Sequence, residues 1–579
     1  GDPRLVRIAQ SYRRARVRIT QLGISSLCPK RKAFFFSSAQ TSKSPKPSSA
    51  AVAAAAPAMG SSAPPVPMDP VREALTRVHG QDPHDLQALI GRILSYIHFV
   101  LPDPPVSRRA TLRARRPHDD VDRVSALPDM LLRDIISRLP DKDAARTAVL
   151  GTRWRGLWRS APLVLVDSHL LTPAAAAASG DQVARNEAGR VTAAVSRVLT
   201  AHPGPFRCVH LTCSYMDEFP GLLVRWFQTL AVKGVQDLVL VNRPFPLALD
   251  LPATLFGMRA LTRLYLGLFK FPDTAGLRRT ALFPNLRELG LCTVAIFSSD
   301  MDFVIARSPA LEILCIQANM LTERLRLISR SLRCVQVISA IDLDILVEYA
   351  PHLERLIIWS ASIKKGPSRR IKIAPAPVLS ILGYLEPEFY TLEVGNTVIK
   401  ADTRASPTTM VPTVKILGLK VRFGIPNEVK LLPAFLRCFP NVERLHIESK
   451  ETAEPTGKLN LNFWKEVGAI ECVQSHIKLM IFHNFHGDRS ELSFLQFFLE
   501  SAPMLMRLAI VYPKGTFTSM TEAKSKLGPL FAAKWANTCC SLVLFEGFYA
   551  EGEEPLKLQN FERGSNFSVS DPFAVIIRA

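Results

Sequence analysis

The chain has 579 residues, of which 47% are hydrophobic and 21% are charged, a composition typical of folded proteins that excludes wholesale disorder. At about 150 residues per domain, this length predicts three or four domains or one elongated array. The formal charge of +21 is uneven, because residues 1–68 contain eleven Lys or Arg and a single acid, Asp2. The basic charge is chiefly a property of this tail, so nucleic-acid binding is a low-ranked interpretation.

Three segments precede the first clear domain. Residues 1–68 are predicted to form a disordered basic tail. After residue 37 this tail is rich in Ser, Ala and Pro, and such a composition has too few large apolar side chains to form a core. The chain begins with Gly1, so Met59 or Met68 is a candidate start, and an organelle transit segment is the alternative interpretation of the tail. Residues 69–101 have apolar side chains at helical spacing and predict a short amphipathic segment, and residues 102–118 predict a Pro- and Arg-rich linker.

A helical motif lies within residues 119–167. Its apolar side chains recur every four residues, at Leu127, Leu131, Ile135 and Leu139. This spacing predicts a helix that begins at Pro128 and ends before Pro140. Two further short helices are predicted between Asp141 and Trp158. A unit this small cannot bury all its apolar side chains alone, so either a partner or the rest of the chain must cover them.

The motif resembles the F-box of plant F-box proteins. The resemblance lies in Leu-Pro-x-x-Leu-Leu-x-x-Ile-x-x-x-Leu-Pro, from Leu127 to Pro140, and in Arg-Trp-Arg-x-Leu-Trp, from Arg153 to Trp158. One departure is Gly151, where the family usually has a serine, and this weakens the cap of the third helix by only about a few tenths of a kcal/mol.

The resemblance implies that the motif binds a Skp-type adaptor, which in turn is carried by a cullin-RING ligase. The residues that it assigns to the adaptor interface are Leu127, Pro128, Leu131, Ile135, Leu139, Val149, Leu150, Trp154 and Trp158. An N-terminal cap of the following domain is the alternative interpretation of the same residues.

Residues 200–450 predict a leucine-rich repeat array. The pattern L-x-x-L-x-L starts at Val235, Leu261, Leu286, Leu311, Leu332 and Leu353, at spacings of 26, 25, 25, 21 and 21 residues. These values lie within the range of about 20–29 residues for such repeats, whose unit is a strand and a helical or irregular return. Stacked units share one core and pair their strands into a parallel sheet. Intervening positions such as Gly290, Cys315 and Ile357 are predicted to face outward, on a surface of mixed character.

Residues 451–579 resemble the FBD region that closes many plant F-box repeat proteins. The resemblance lies in a stretch that begins Leu461-Asn-Phe-Trp-Lys-Glu and in a second one from Glu491 to Pro503. Phe494 and Phe498 belong to the apolar face of a helix in the second stretch. The predicted fold class is therefore α/β, with an N-terminal three-helix F-box, a leucine-rich repeat solenoid of parallel strands with helical returns, and an FBD-like C-terminal continuation.

No catalytic, cofactor or metal site is predicted. The sequence has no phosphate-binding G-x-x-x-x-G-K, no G-x-S-x-G and no paired-histidine zinc motif, and His476, His483 and His486 lack ligand-spaced partners. The ten cysteines form no C-x-x-C pair, which predicts reduced core thiols and a cytoplasmic or nuclear location. No apolar run is long enough to predict a membrane span.

These features predict a non-catalytic receptor subunit of an SCF-type cullin-RING ubiquitin ligase. The F-box is expected to bind the adaptor, and the repeats are expected to bind a protein substrate whose identity the sequence does not give. The alternative is an interaction scaffold or inhibitor that uses the same surfaces without promoting ubiquitin transfer. A small molecule that assists substrate binding has no candidate residue in the sequence.

Overall fold

The structure of the protein is a computed structural model. It describes residues 94, 97–106, 124–172, 185–214, 216, 220–242, 249–277, 283–319, 321–338, 343–359, 369–387, 389–451, 460, 462–547 and 561–574. The predicted tail, most of the predicted amphipathic segment and most of the predicted linker lie outside these ranges.

The predicted F-box motif forms three short helices. They are α1 (Asp129–Ser137), α2 (Asp141–Arg146) and α3 (Thr152–Ser160), with a 3-10 turn at Thr147–Val149 between the last two. Pro128 and Pro140 directly precede α1 and α2, where proline is tolerated because the first turn of a helix has no use for its N–H group. Gly151 precedes α3, which begins without a side-chain cap.

Strands alternate with helices or loops over the rest of the chain. The described strands, in chain order, are β1 (Leu163–Val166), β2 (Phe206–Leu211), β3 (Asp237–Val241), β4 (Arg263–Gly267), β5 (Glu288–Cys292), β6 (Ile313–Gln317), β7 (Arg324–Ile328), β8 (Cys334–Ile338), β9 (Asp344–Tyr349), β10 (Arg355–Ile358), β11 (Arg369–Ile373), β12 (Ile381–Leu385), β13 (Tyr390–Val394), β14 (Thr397–Val398), β15 (Ile416–Val421), β16 (Arg444–Ser449), β17 (Leu479–His483), β18 (Arg507–Tyr512) and β19 (Ser541–Glu546). The remaining described helices are α4 (Arg185–Ala201), α5 (Pro220–Val232), α6 (Ser298–Ala306), α7 (Pro426–Val429), α8 (Leu432–Cys438), α9 (Phe463–Glu466), α10 (Glu471–Ser475), α11 (Arg489–Ser501), α12 (Met520–Lys526), α13 (Gly528–Phe531) and α14 (Phe561–Ser565).

Fourteen of these strands form one large sheet, in the order β1-β2-β3-β4-β5-β6-β8-β10-β12-β15-β16-β17-β18-β19. Every neighbouring pair in it is parallel. The order follows the chain, as expected when each repeat adds one strand beside the previous one. The predicted α/β solenoid is therefore confirmed, and the sheet continues through the FBD-like region.

A second sheet of five strands replaces helical returns in the middle of the array. Its order is β14-β13-β11-β9-β7, and its pairs are parallel except for the hairpin of β13 and β14. The sequence did not predict this sheet. The short spacing of 21 residues at Leu311, Leu332 and Leu353 accounts for β7 and β9, because a typical helix of about 11 residues leaves too little chain for a strand and two connections. β11, β13 and β14 extend this sheet into the longer returns that follow.

The leucines of the repeat pattern fill the space between the large sheet and the returns. Leu238, Leu264, Leu289 and Leu314 lie side by side on neighbouring strands and are at most 1% exposed. The same core cluster begins at Leu132 in α1 and reaches Cys540, just before β19. The three N-terminal helices therefore share one continuous core with the repeats and with the FBD-like region.

The opposite side of the large sheet is called the strand face here. It is marked by a row of adjacent positions, Val239, Tyr265, Gly290, Cys315, Gln336 and Ile357. In repeats of this kind the strands line the inside of a horseshoe, and the sequence predicted outward-facing positions there. The structure corrects this expectation, because Cys315, Gln336 and Ile357 are fully buried.

Two segments from the ends of the described chain cover the strand face. The first segment, residues 94 and 97–106, contributes Ile97 and Val106. Ile97 packs so closely on Gly267 that a Cβ added to Gly267 would lie 3.1 Å from Ile97 Cγ2, and Val106 packs with Val164. Residues 561–574, called the C-terminal segment below, pack in one cluster with strand-face residues from Tyr265 to Ile416. The chain itself therefore occupies the face on which a repeat protein commonly binds its partners.

Candidate functional site

The helical segment 124–160 exposes much of its apolar surface. Val149 is 83% exposed, Leu150 is 68% exposed and Leu131 is 45% exposed. Ile135 lies one turn after Leu131 on the same face of α1, and Pro128 is exposed as well. Met130, which the sequence interpretation left out, is 75% exposed. Side chains of this type are expected to face a partner, since exposed apolar groups have no favourable place in water.

The opposite face of α1 holds the helices together. Leu132 and Ile136 are fully buried in the common core. Leu127 and Leu139, which the sequence assigned to the adaptor interface, are half-buried and pack against that core. Part of their surface stays exposed, so they lie at the edge of the apolar surface described above.

The two tryptophans of the motif point inward. Trp154 is 8% exposed, and its Nε1 donates a hydrogen bond of 3.3 Å to Ser125 Oγ. Trp158 is half-buried, and its ring meets that of His202 edge-on at 5.1 Å. Both were assigned to the adaptor interface by resemblance, and the structure places them chiefly inside the chain. Whether any of the nine residues contacts an adaptor stays a prediction.

Arg153 ties the start of the motif to its last helix. Its Nη2 donates to Asp129 Oδ1 at 2.6 Å and to the carbonyl of Leu127 at 2.8 Å, and its Nη1 donates to the carbonyl of Ser125. These bonds hold the turn that contains Leu127 and Pro128 against α3. The guanidinium can do so because its planar donors reach several acceptors at once.

The motif is attached rigidly to the first repeats. His202, which follows α4, places Nε2 3.1 Å from the carbonyl of Ala161, just after α3. Burial lowers the pKa of this histidine, so its neutral form is favoured. Further on, the buried Asp167 accepts a hydrogen bond of 2.7 Å from the backbone N–H of Cys213. The exposed apolar surface therefore has a defined orientation relative to the array.

The histidines considered as metal ligands are separated by the fold. His483 stacks on His446 at 5.9 Å, and burial and the neighbouring His446 lower its pKa to about 3. His486 instead lies 3.5 Å from Glu491. Within the described ranges, no three Cys, His, Asp or Glu side chains come close enough to hold a metal ion.

The edge of the array carries a groove of 430 Å³ with alternating charges. Arg333 lies in it between Glu354, at 2.7 Å, and Glu312, at 3.9 Å. Partly exposed pairs of this kind contribute only about 0–1 kcal/mol each. Because its acids and bases already face each other, the groove has little unbalanced charge to offer a ligand.

The repeats and the C-terminal region of the chain each match a known protein family. The family described as "FBD-associated F-box protein At5g56370, LRR repeats" matches residues 223–447, and the FBD family matches residues 465–510. None of the helices that the structure describes is long and apolar enough to cross a bilayer.

Three relatives from Arabidopsis thaliana have names that combine F-box with LRR repeats, with an FBD or with both. F-box/FBD/LRR-repeat protein At5g22660 of Arabidopsis thaliana is 24% identical over 67% of this chain and 89% of its own length. F-box/LRR-repeat protein 13, also from Arabidopsis thaliana, is 27% identical over 35% of this chain and 43% of its own length. FBD-associated F-box protein At4g13985 from the same plant is 27% identical over 43% of this chain and 54% of its own length. The parallel repeat sheet, its FBD continuation and these relatives agree: the chain matches the leucine-rich repeat and FBD family models and is similar to plant F-box/FBD/LRR-repeat proteins.

Proposed function

We propose that the protein is the substrate-recognition subunit of an SCF-type cullin-RING ubiquitin ligase. The observation that carries the proposal is the exposed apolar surface of α1 and of the turn at Val149 and Leu150. A Skp-type adaptor is the partner expected to cover it. The names of the relatives support this assignment, since they are called F-box proteins.

The proposed role is positioning without catalysis. A substrate lysine held near a ubiquitin-charged enzyme gains a high effective concentration, which accelerates transfer without any reacting group on the receptor. The buried cysteines fit this role, because burial raises the pKa of Cys438 and of Cys472 to about 12 and suppresses the reactive thiolate. A cytoplasmic or nuclear location is part of the proposal, and the buried free thiols support it.

Charged side chains at the exposed turn should strongly weaken adaptor binding. We expect the full-length Val149→Asp/Leu150→Asp variant to bind a purified Skp-type adaptor about a hundredfold more weakly than the unaltered chain, because two desolvated carboxylates would lie at the interface. Isothermal titration calorimetry measures the loss. The fold should persist, since both native side chains are mostly exposed.

The matched control is Val232→Asp, because Val232 is 89% exposed at the end of α5 and far along the chain from the motif. It should leave the adaptor affinity within about twofold of the unaltered value. Equal affinities for all three proteins would rule out the proposed docking surface. A second measurement distinguishes the receptor from a scaffold or inhibitor. It is the half-life of the protein bound by the repeats, measured after depletion of this chain.

A further inference from the structure

The C-terminal segment lies on the strand face in the way that a bound peptide lies in a groove. It begins with α14 and continues as turns to Ala574. Three phenylalanines at six-residue intervals, Phe561, Phe567 and Phe573, supply its ring contacts with the repeats. Glu562, Ser568 and Ser570 between them are exposed. Buried aromatic anchors separated by solvent-facing polar residues are a common arrangement in peptide recognition.

A buried arginine of the repeats donates hydrogen bonds to the backbone of the C-terminal segment. Arg355, on β10, is 5% exposed. Its Nη1 donates to the carbonyls of Gly564 at 2.9 Å and Asn566 at 3.1 Å, and its Nη2 donates to the carbonyl of Val569 at 2.9 Å. Among the described ion pairs, none joins this guanidinium to a carboxylate. Its charge is therefore satisfied by carbonyl oxygens of a segment more than two hundred positions away in sequence.

Two of the phenylalanines sit in defined aromatic and cationic surroundings. The guanidinium carbons of Arg333 and Arg355 lie 4.1 and 4.7 Å from the centre of the Phe567 ring. Phe573 is 4% exposed, and its ring centre lies 5.6 Å from that of Trp359 and 4.8 Å from that of Tyr384. Cation–π contacts and edge-on ring packing are both directional, so these surroundings select aromatic side chains.

A carboxylate between the aromatic anchors is also recognised. Asp571 Oδ2 lies 3.1 Å from His446 Nε2 and 3.4 Å from Arg444 Nη1, while Oδ1 accepts a hydrogen bond from the Phe573 N–H. Burial by itself would raise the pKa of Asp571, but the hydrogen bond with His446 and the nearby charge of Arg444 hold it below its usual value. The site is therefore suited to an ionised Asp that is followed, two residues later, by Phe.

The contact is built for recognition more than for stability. Buried charged and polar networks contribute less net stability than apolar packing of the same size, but they strongly disfavour a wrong sequence. The fit is also close, since a Cβ added at Gly564 would lie 2.0 Å from Gln336 Oε1. A short segment held in this way can open locally without unfolding the repeats beneath it.

We propose that the strand face over β8, β10, β12, β15 and β16 is a binding site for a substrate peptide that contains a Phe and, six residues later, a second Phe preceded by Asp-Pro. The C-terminal segment occupies this site as an internal competitor. The inference rests on the proposed function, because the peptide would be the part of a substrate that the receptor recognises. A tethered competitor has an effective concentration of about millimolar, so only a released segment leaves the site open to a ligand of moderate affinity.

The test uses the full chain with the segment released by Phe567→Ser/Phe573→Ser. The ligand is a fluorescein-labelled synthetic peptide with the sequence of residues 561–574, and fluorescence anisotropy measures binding without any adaptor present. We expect the released variant to bind this peptide at least about tenfold more tightly than the unaltered chain. Glu562→Ser/Ser570→Ala changes only exposed positions of the segment and should bind as weakly as the unaltered chain.

Two further measurements decide the outcome. Adding Arg355→Met to the released variant should weaken peptide binding at least about tenfold, because the peptide carbonyls lose their donor. The proposal is overturned if the released variant keeps its melting temperature but binds no more tightly than the unaltered chain. It is equally overturned if release unfolds the repeats, because the segment would then be a structural cap. Since no adaptor is used, a failed adaptor interface leaves this result readable.

Discussion

Phe494→Ala is expected to lower the free energy of unfolding of the C-terminal repeats by about 3–5 kcal/mol. Phe494, on α11, is fully buried, and its ring lies 5.4 Å from that of Phe423, 5.2 Å from that of Trp464 and 4.9 Å from that of Phe498. These four residues come from three different parts of the chain: the segment after β15, α9 and α11. Removal of the central ring leaves a cavity that its rigid neighbours cannot fill.

Urea-induced unfolding followed by tryptophan fluorescence measures this loss, since Trp464 reports on the cluster itself. Phe531→Ala is the matched control, because Phe531 is 60% exposed in the same region, and its cost should stay below about 1 kcal/mol. If the two variants were equally stable, the aromatic cluster would not hold the FBD-like region on the array. Repeats contact only their neighbours, so the loss should be concentrated at this end.

Glu491→Ala is expected to cost about 2–4 kcal/mol. Glu491 is fully buried near the start of α11, and its Oε2 accepts backbone N–H groups of His486 at 3.1 Å, Gly487 at 2.9 Å and Asp488 at 3.0 Å. Asp488 completes a capping box at the same turn. The alanine variant would leave three partly buried donors without their acceptor.

Thermal and urea unfolding of two further variants distinguish the effect of losing the acceptor oxygen from the effect of losing the charge. Glu491→Gln keeps an acceptor oxygen and should lose roughly half as much stability as the alanine variant. Glu500→Ala, on the exposed side of the same helix, should change stability by less than about 0.5 kcal/mol. An alanine variant at position 491 that matched Glu500→Ala would contradict this role of the carboxylate.

The elements with a strong local signal were predictable from the sequence. Pro128 and Pro140 mark the start of α1 and α2, and the paired leucines at Leu238 and Leu240 mark the centre of β3. Each depends only on nearby residues and on a simple periodicity. The continuous parallel sheet followed from stacking such units, because one unit cannot bury its own apolar face.

The second sheet had a signal that a leucine-based pattern does not detect. Arg324-Leu-Arg-Leu-Ile and Arg369-Arg-Ile-Lys-Ile alternate polar and apolar residues, as half-buried strands do. β7 and β11 lie in the returns, where the repeat consensus predicts helix or irregular chain. A search for period two between the leucine motifs would have found them.

The covering of the strand face could not be predicted from spacing. Arg355 contacts Gly564, and Ile97 contacts Gly267, although each pair is far apart in the sequence. A local periodicity contains no information about such contacts. Apolar side chains at outward positions, such as Ile357, were the available sign that something covers them. For the predicted F-box motif, the helices followed from local periodicity, but the pattern did not separate the exposed side chains from the inward-facing Trp154.

Hydrogen exchange of the full chain, with and without a purified Skp-type adaptor, tests the docking assignment most directly. The account predicts that the adaptor slows exchange of backbone amides in α1 and in the turn from Thr147 to Leu150, and leaves β17, β18 and β19 unchanged. Protection confined to the repeats, or no protection of residues 128–150 at a large molar excess of adaptor, would contradict it.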